Sequence, residues 1–483
     1  MDHINQDISD LFATYSKEPV LSIDKIPQSG SIRIYYRIRA AGKSFIATYG
    51  INIKENLSFI NFSRHFKTKD CPVPEIYAVN TEGTIYIQED FGDISLLNRL
   101  EASGHSDEVY YLFRKSLKAL AHLQIQGDKG MDYENWCLTS SEFGKQAILS
   151  DLLYFKYYFL DTLQLPYDKE KLIADFEIFS AELGNTEYKY FMFRDFQSRN
   201  ILIENEEVHF IDYQGGMRGA MQYDVASMLW QAKAELNEAW KHGLLEYYMD
   251  CVETEMGVPF NKKEFIRQYH GYVLIRLMQV LGAYGFRGLF ERKAHFLISI
   301  PLGLKNLRSF LHQYPMAKNV PEFERVLNLI VEDHIIERFI PPRANAETPL
   351  VVHINSFSYK KSLPPDPGGN GGGYVFDCRA ILNPGRIEIF KSKTGRDKEV
   401  KDFLEQQTKM PEYLNSVFDL VDISIEDYIK RGFESLMVSF GCTGGQHRSV
   451  YAADSLARHL KNKFGVTVDV HHIEQESKDW KNG

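Results

Sequence analysis

Three residues of one stretch have the types and spacing that phosphoryl transfer needs. Asp195, preceded by Arg194, stands five residues before Asn200, and Asp212 ends the next apolar run. The reaction requires a carboxylate to orient and deprotonate an attacking hydroxyl, and hard oxygen ligands for the magnesium that neutralises the phosphates. On a tight loop Asp195 can serve as base or hydroxyl-positioner, with Asn200 and Asp212 as the magnesium ligands. A bare D-x4-N also fits a loop aspartate capping a helix and an asparagine in a turn, so spacing alone leaves both readings open.

A second constellation is GCTGGQHRS, Gly441 to Ser449, between the apolar run LMVSFG and the helix-period run VYAADSLARHLKNKF. Backbone N–H groups and the positive end of the helix would converge there on an anion. Gly444 and Gly445 permit a tight turn, Arg448 can grip an oxyanion bidentately, and Thr443, His447 and Ser449 add donors. The spacing of Cys442, Arg448 and Ser449 also fits cysteine-dependent phosphatases, against which stand Gly441 before the cysteine and the lack of a general-acid loop.

The elements that must position these residues follow from periodicity. An N-terminal helix precedes the β-branched and aromatic runs IRIYYRIRA and KSFIATYG, joined by a turn at Ala41-Gly42. A helical segment near Asn56 to Phe66 and a third strand, TIYIQED, complete a small lobe over residues 1–92. Residues 93–342 read as a large helical lobe, interrupted near its front by a hairpin of NILI and VHFI. The segment around Phe296 to Leu304, with Pro301, reads as a helix end. IPPRANAETP, Ile340 to Pro349, marks a domain boundary near residue 345. Beyond it, over 349–483, PLVVHINSFSYK and YVFDCRAIL are strand-like and separated by a flexible PPDPGGNGGG. Helices over Lys398 to Gln407 and Pro411 to Gly432 follow, and the strand–loop–helix–strand order predicts a parallel α/β layer.

Composition limits the alternatives. Apolar content of 44% and charged content of 25% are ordinary for globular domains. Five scattered cysteines, none in a CxxC pair, argue against a disulfide framework and a structural zinc site. An acidic, polar N-terminus and the lack of about 18 uninterrupted apolar residues predict a cytoplasmic protein with no membrane partner. Net charge is −9, yet from Arg343 onward 19 Lys and Arg balance 19 Asp and Glu. Neither part has the basic surplus of a nucleic-acid binder, so RNA is the less favoured partner. The sequence sets no oligomeric state.

FRDFQSRNILIENEEVHFIDYQGGMRGAMQYDVASML closely resembles the catalytic segment of the aminoglycoside phosphotransferase-like kinases, and most of all the N-acetylmuramate and N-acetylglucosamine kinases. The RD-x4-N loop, the IDYQ motif and the YDVA segment carry that resemblance, which implies a bilobal, protein-kinase-like α+β fold using ATP and Mg2+. By the same resemblance Asp224 anchors the catalytic loop. QSGSIRIYYRI matches the loop over the nucleotide phosphates, with Ser29, Gly30 and Ser31 as donors, and IQEDFGD matches the adenine hinge, with Glu89 near the base edge. The departures are Phe193 in place of histidine and a second lobe strand without the usual phosphate lysine. Arg33 or Arg37 could replace that lysine, although both read more readily as a solvated strand edge.

The C-terminal part resembles the C-terminal domain of the RNase adapter RapZ through FDCRAILNPG, KTGRD and GCTGGQHRSVYAADSLA. That resemblance implies glucosamine-6-phosphate binding by Thr443, Gly444, Gly445, His447 and Arg448, with Asp377 and Arg379 facing the same pocket. The expectation is an amino-sugar kinase joined to a sugar-phosphate-sensing domain. The alternative is a nucleotide- and sugar-phosphate-binding regulator, with an RNA or protein partner, that does not turn over.

Overall fold

The computed structural model describes residues 2–26, 33–291, 294–314 and 319–477. The chain divides into two compact units, 1–290 with 299–332, and 291–298 with 333–483.

Unit 1 opens with the helix Asp2–Tyr15 and a five-stranded antiparallel sheet. Its strands are β1 (Ser22–Lys25), β2 (Ile34–Ala40), β3 (Lys43–Tyr49), β4 (Ile76–Val79) and β5 (Ile85–Glu89), in the order β1-β2-β3-β5-β4. Side chains alternate across a strand. Tyr36, Ile38, Phe45, Ala47, Ile85 and Ile87 pack with Ile8, Leu11 and Phe12 of the helix. The intervening residues Tyr35, Thr48 and Tyr86, in register with one another, occupy the opposite face. Two of the five strands, SIDK and IYAV, escape sequence reading because four residues give too few alternations to detect.

The rest of unit 1 is helical apart from two small pairings. β6 (Lys189–Met192) pairs with β9 (Met217–Ala220), while β7 (Ile201–Glu204) and β8 (Glu207–Phe210) form the expected hairpin. The hairpin turns at Asn205 and Glu206, both left-handed at φ 50° and 62°. The Glu206 carboxylate bonds Arg99 at 2.8 Å, its carbonyl accepts from Lys115 at 2.8 Å, and Lys115 pairs with Glu207 at 2.6 Å. One helical stretch, Lys262–Phe290, is long and apolar enough by length and composition to cross a membrane. It is instead largely packed inside the unit and carries a buried Arg276. Pro301 lies at a helix end, in the first turn of the helix Ser299–Gln313. A first-turn N–H has no intrahelical acceptor, so proline costs nothing there.

Unit 2 is built on a parallel sheet of β10 (Val351–Ser358), β11 (Tyr374–Asp377), β12 (Ser435–Cys442) and β13 (Thr467–His472), ordered β11-β12-β10-β13. The helices Lys398–Gln407, Met410–Arg431 and Arg448–Phe464 enclose its core, whose fully buried members include Ile354, Val438, Phe440, Leu456 and Leu460. The YVFDCRAIL run stays extended only to Asp377, whose carboxylate accepts the Arg379 N–H and starts a 3-10 turn. The segment PPDPGGNGGG is organised by its own aspartate. Asp366 accepts the N–H groups of Gly368, Asn370 and Gly372 at 2.9, 2.8 and 3.1 Å. An Asx-type turn of this kind gives a glycine-rich stretch a defined path.

Candidate functional site

In unit 1 the loop after β6 carries Arg194 and Asp195, and Asp224 holds that loop in place. The Asp224 carboxylate is fully buried and accepts from Phe193 N at 2.7 Å, Arg194 N at 2.8 Å and Gln124 Nε2 at 2.8 Å. Burial pushes this carboxyl up to about 7, against the three donors, which favour the ionised form. Arg194 is left-handed at φ 76°, and its side chain reaches Asp151 at 2.9 Å. A bulky residue in that region is strained and persists only where its surroundings over-determine it.

Asp195 is half exposed and accepts from Arg276 Nη1 at 3.1 Å. Burial alone would raise its pKa, but the guanidinium charges of Arg276, Arg194 and Arg199 outweigh that and hold it below the usual carboxylate range. Arg276 comes from the long apolar helix, and sequence reading missed it. Its signal was an arginine inside the run VLIRLMQ, because a charge in an apolar helix face needs a partner.

The structure brings the two predicted magnesium ligands to the same place. Asn200 Nδ2 donates to the Asp195 carbonyl at 2.9 Å, and Ile211 N returns to the Asn200 carbonyl at 3.1 Å. Asp212 therefore leaves the hairpin beside Asn200, with its backbone left-handed at φ 71°. Tyr213, fully buried, stacks on Phe59 at 4.8 Å and shares a 2.6 Å hydrogen bond with Ser63, both on the helix Ile53–Lys67. Among the described residues no group of three or more His, Cys, Asp or Glu is placed to hold a metal. One amide and one carboxylate form a sparse hard-oxygen set that suits magnesium, which keeps waters and phosphate oxygens as its other ligands.

Ser29, Gly30 and Ser31 lie outside the described residues. Glu89 ends β5. Strand alternation puts it with Ile85 and Ile87, and its carboxylate pairs with Lys67 at 3.2 Å and accepts Glu75 N at 3.1 Å. Neither arginine of β2's edge is solvated as expected. Arg37 makes two-pronged contacts to Asp90 (2.7 and 3.1 Å) and Asp93 (2.7 and 2.8 Å). Arg33 is buried at 4% exposure and pairs with Asp212 at 2.9 Å and Glu55 at 3.3 Å.

In unit 2 the loop Gly441 to Ser449 follows β12 at the carboxyl end of the parallel sheet, where such sheets bind ligands. The structure separates the predicted residues into two sets. Thr443 and Gly444 are exposed, and the helix Arg448–Phe464 starts with no side-chain cap on its N-terminus. His447, Arg448 and Ser449 are buried and bonded inward. His447 Nε2 donates to the Phe390 carbonyl at 2.9 Å, and burial lowers its pKa, which keeps the ring neutral. Ser449 Oγ lies 3.2 Å from Cys442 Sγ, which also accepts Gly445 N at 3.2 Å. Arg448 spends Nη1 on the carbonyls of Arg379 and Ile381, at 3.1 and 2.7 Å, while Nη2 reaches Thr443 Oγ1 at 3.4 Å, which leaves its Nε–Nη2 edge as the two-pronged side. Its buried Nε has no hydrogen-bond partner and remains for a ligand. Asp377 and Arg379 pair with each other at 2.7 Å, and Arg379 lies over the Tyr359 ring. Sequence supplies side-chain types, whereas their direction depends on which carbonyls the fold leaves open.

Gly445 has φ 63°, and a Cβ there would meet the Phe357 and Ser358 backbone at 3.1 Å. Gly445→Ala should therefore destabilise unit 2 by about 1–3 kcal/mol. Gly444→Ala, at a site with open space, should be nearly neutral in the same thermal unfolding measurement.

Comparison with known proteins finds a match in each unit. A phosphotransferase enzyme family (APH) model matches residues 52–255, and a RapZ C-terminal domain model matches 350–476. A nucleotide-binding protein of Fervidobacterium nodosum is 40% identical over 130 residues, covering 27% of this chain and 44% of that one. The corresponding protein of Solibacter usitatus is 37% identical over 142 residues, covering 29% and 42%. The chain thus spans less than half the length of these two relatives. It covers 69% of nucleotide-binding protein FN1089 of Fusobacterium nucleatum, at 33% identity over 212 residues and 42% of this chain. Among solved structures, a putative aminoglycoside phosphotransferase from Ralstonia eutropha aligns at TM-score 0.42 and 11% identity, over 69% of this chain and 97% of that one. Choline kinase LicA from Streptococcus pneumoniae aligns at TM-score 0.42 and 15% identity, over 64% and 99%. One polypeptide thus joins a domain of the phosphotransferase enzyme family, residues 52–255, to a RapZ C-terminal domain, residues 350–476.

Proposed function

We propose that unit 1 is an ATP- and magnesium-dependent phosphotransferase acting on a cell-wall amino sugar of the N-acetylmuramate or N-acetylglucosamine type, at the anomeric hydroxyl. In the same reading, unit 2 binds a sugar phosphate and reports its level, and the protein works in the cytoplasm. The observation that carries this is Asp195, half exposed and held by Arg276 at 3.1 Å, with Asn200 tied to its carbonyl and Asp212 returned beside it. Asp195 accepts the acceptor hydroxyl's hydrogen bond and aims its oxygen at the phosphorus. Its depressed pKa makes it a better orienter than proton sink, which suits a loose transition state in which the hydroxyl proton leaves late. Asn200 and Asp212 would hold magnesium, which when bound neutralises charge on the transferred phosphoryl group. The amino-sugar assignment is supported by the two family resemblances, each of which implies an amino-sugar ligand.

Phosphorus NMR of the full chain with ATP, magnesium and a panel of N-acetylmuramate, N-acetylglucosamine, glucosamine and an aminoglycoside tests this. A new sugar-phosphate resonance coupled to the anomeric proton is the expected result. The regulator without turnover is favoured by one finding, the name nucleotide-binding protein carried by the curated relatives. An unchanged ATP spectrum together with saturable nucleotide binding would select it.

A further inference from the structure

The small lobe has no lysine where a kinase of this type places one on its second lobe strand. The residues of β3 between Phe45, Ala47 and Tyr49 are Ile46 and Thr48, and Thr48 is fully buried. Tyr35 stands opposite Thr48 across the β2–β3 pairing. Arg33 lies two residues before Tyr35, on the same face by strand alternation, with its guanidinium 5.7 Å from the Tyr35 ring centroid.

Arg33 is among the most buried charged residues of the lobe and is gripped from two sides. Glu55, in the first turn of the helix Ile53–Lys67, takes Nε at 3.3 Å, and Asp212 takes Nη2 at 2.9 Å. Its stem passes Gly50, where an added Cβ would meet Arg33 Cγ at 3.2 Å. Asn56 fixes that backbone by donating to the carbonyls of Gly50 and Gly83 at 2.8 and 2.9 Å. The other arginines of this face are committed elsewhere, since Arg37 is held by Asp90 and Asp93 and Arg39 pairs with Asp24 at 3.6 Å.

We propose that Arg33 is the cation that receives the nucleotide's phosphates, supplied from the edge of β2 in place of a β3 lysine, and that its bond to Asp212 is a resting contact exchanged on nucleotide binding. The inference rests on the phosphotransferase reading of unit 1. Glu55 keeps the guanidinium aimed into the site, as a carboxylate partner does for a phosphate-binding lysine. Asp212 cannot serve magnesium fully while one of its oxygens is shared by Arg33 and by Gln214 Nε2, each at 2.9 Å. A triphosphate bound with magnesium resolves both demands, because the phosphate oxygens take the guanidinium's forked donors and the carboxylate turns to the metal.

The test is equilibrium binding of Mg·ATP and of adenosine to the full-length chain and its Arg33→Met and Arg33→Lys variants, with thermal unfolding as a check on folding. Arg33→Met should weaken Mg·ATP binding by about 10- to 100-fold, the worth of a charged hydrogen bond, and leave adenosine within about twofold. Arg33→Lys, which keeps the charge and loses the fork, should lose less, again for Mg·ATP alone. It carries the test if Arg33→Met fails to fold. Equal loss for both ligands, or wild-type affinity for Mg·ATP in a folded variant, overturns the assignment. A wild-type chain that binds neither ligand overturns the phosphotransferase reading, and this one with it.

Discussion

Asp195→Asn is expected to lower sugar-dependent ATP turnover by about 100- to 10,000-fold, the usual contribution of a positioned acid–base group. Nucleotide affinity should be unchanged, because Asn200 bonds the Asp195 backbone carbonyl, which the substitution leaves in place, and Asp212 is held by Arg33 and Gln214 rather than by Asp195. The substitution is nearly isosteric, so the melting temperature isolates chemistry from folding. A turnover rate matching wild type would remove Asp195 from the mechanism. The pH profile supplies a separate readout. A carboxyl held below its ordinary value of about 3.9 stays ionised through the neutral and mildly acidic range, so no acid limb from Asp195 should appear there. Arg276→Met removes the strongest opposing charge and should move an acid limb upward into the measurable range.

Asp224 carries the largest expected structural effect. Asp224→Ala strands the N–H groups of Phe193 and Arg194 and the Gln124 amide in a fully buried site. At about 1 kcal/mol or more per stranded donor, unit 1 should lose about 3 kcal/mol. For a unit of this size, with about 2.1 cal/mol/K of unfolding entropy per residue, that is roughly a 4 °C fall in melting temperature. Asp224→Asn is the sharper probe. Donors reach both carboxylate oxygens, so an amide satisfies one side and sets its own N–H2 against a donor on the other. It should therefore be nearly as damaging as alanine despite its matching shape. A variant that melted like wild type would show that the catalytic loop is held by other contacts.

The RD-x4-N loop, the hairpin with its returning Asp212 and the strand–loop–helix at Gly441 to Ser449 were all legible as local patterns, with turn residues and periodicity at fixed offsets. What sequence could not supply was partnership across distance. Arg276 meets Asp195 across 81 residues, and Arg33 meets Asp212 across 179. No spacing rule links such pairs, and an edge-strand arginine and a buried ion-paired one look alike in a string of letters. The inward turn of His447 and Ser449 escaped for a related reason. A histidine or serine beside a glycine-rich loop donates equally well to an anion or to the protein's own carbonyls and thiol, and only the packed fold decides between them.

The β7–β8 turn has a mechanical consequence. Asn205 and Glu206 both sit in a conformation that glycine adopts more easily, yet Glu206 holds Arg99 and, through its carbonyl, Lys115. Glycine would relax the backbone and release one of those ties. The hairpin thus behaves as a beam clamped at its tip, with Asn200 and Asp212 at its root. Because the clamp is made of exposed charges, ionic strength is a means of loosening the tip without touching the core, and stiffness at the root becomes separable from stability of the fold.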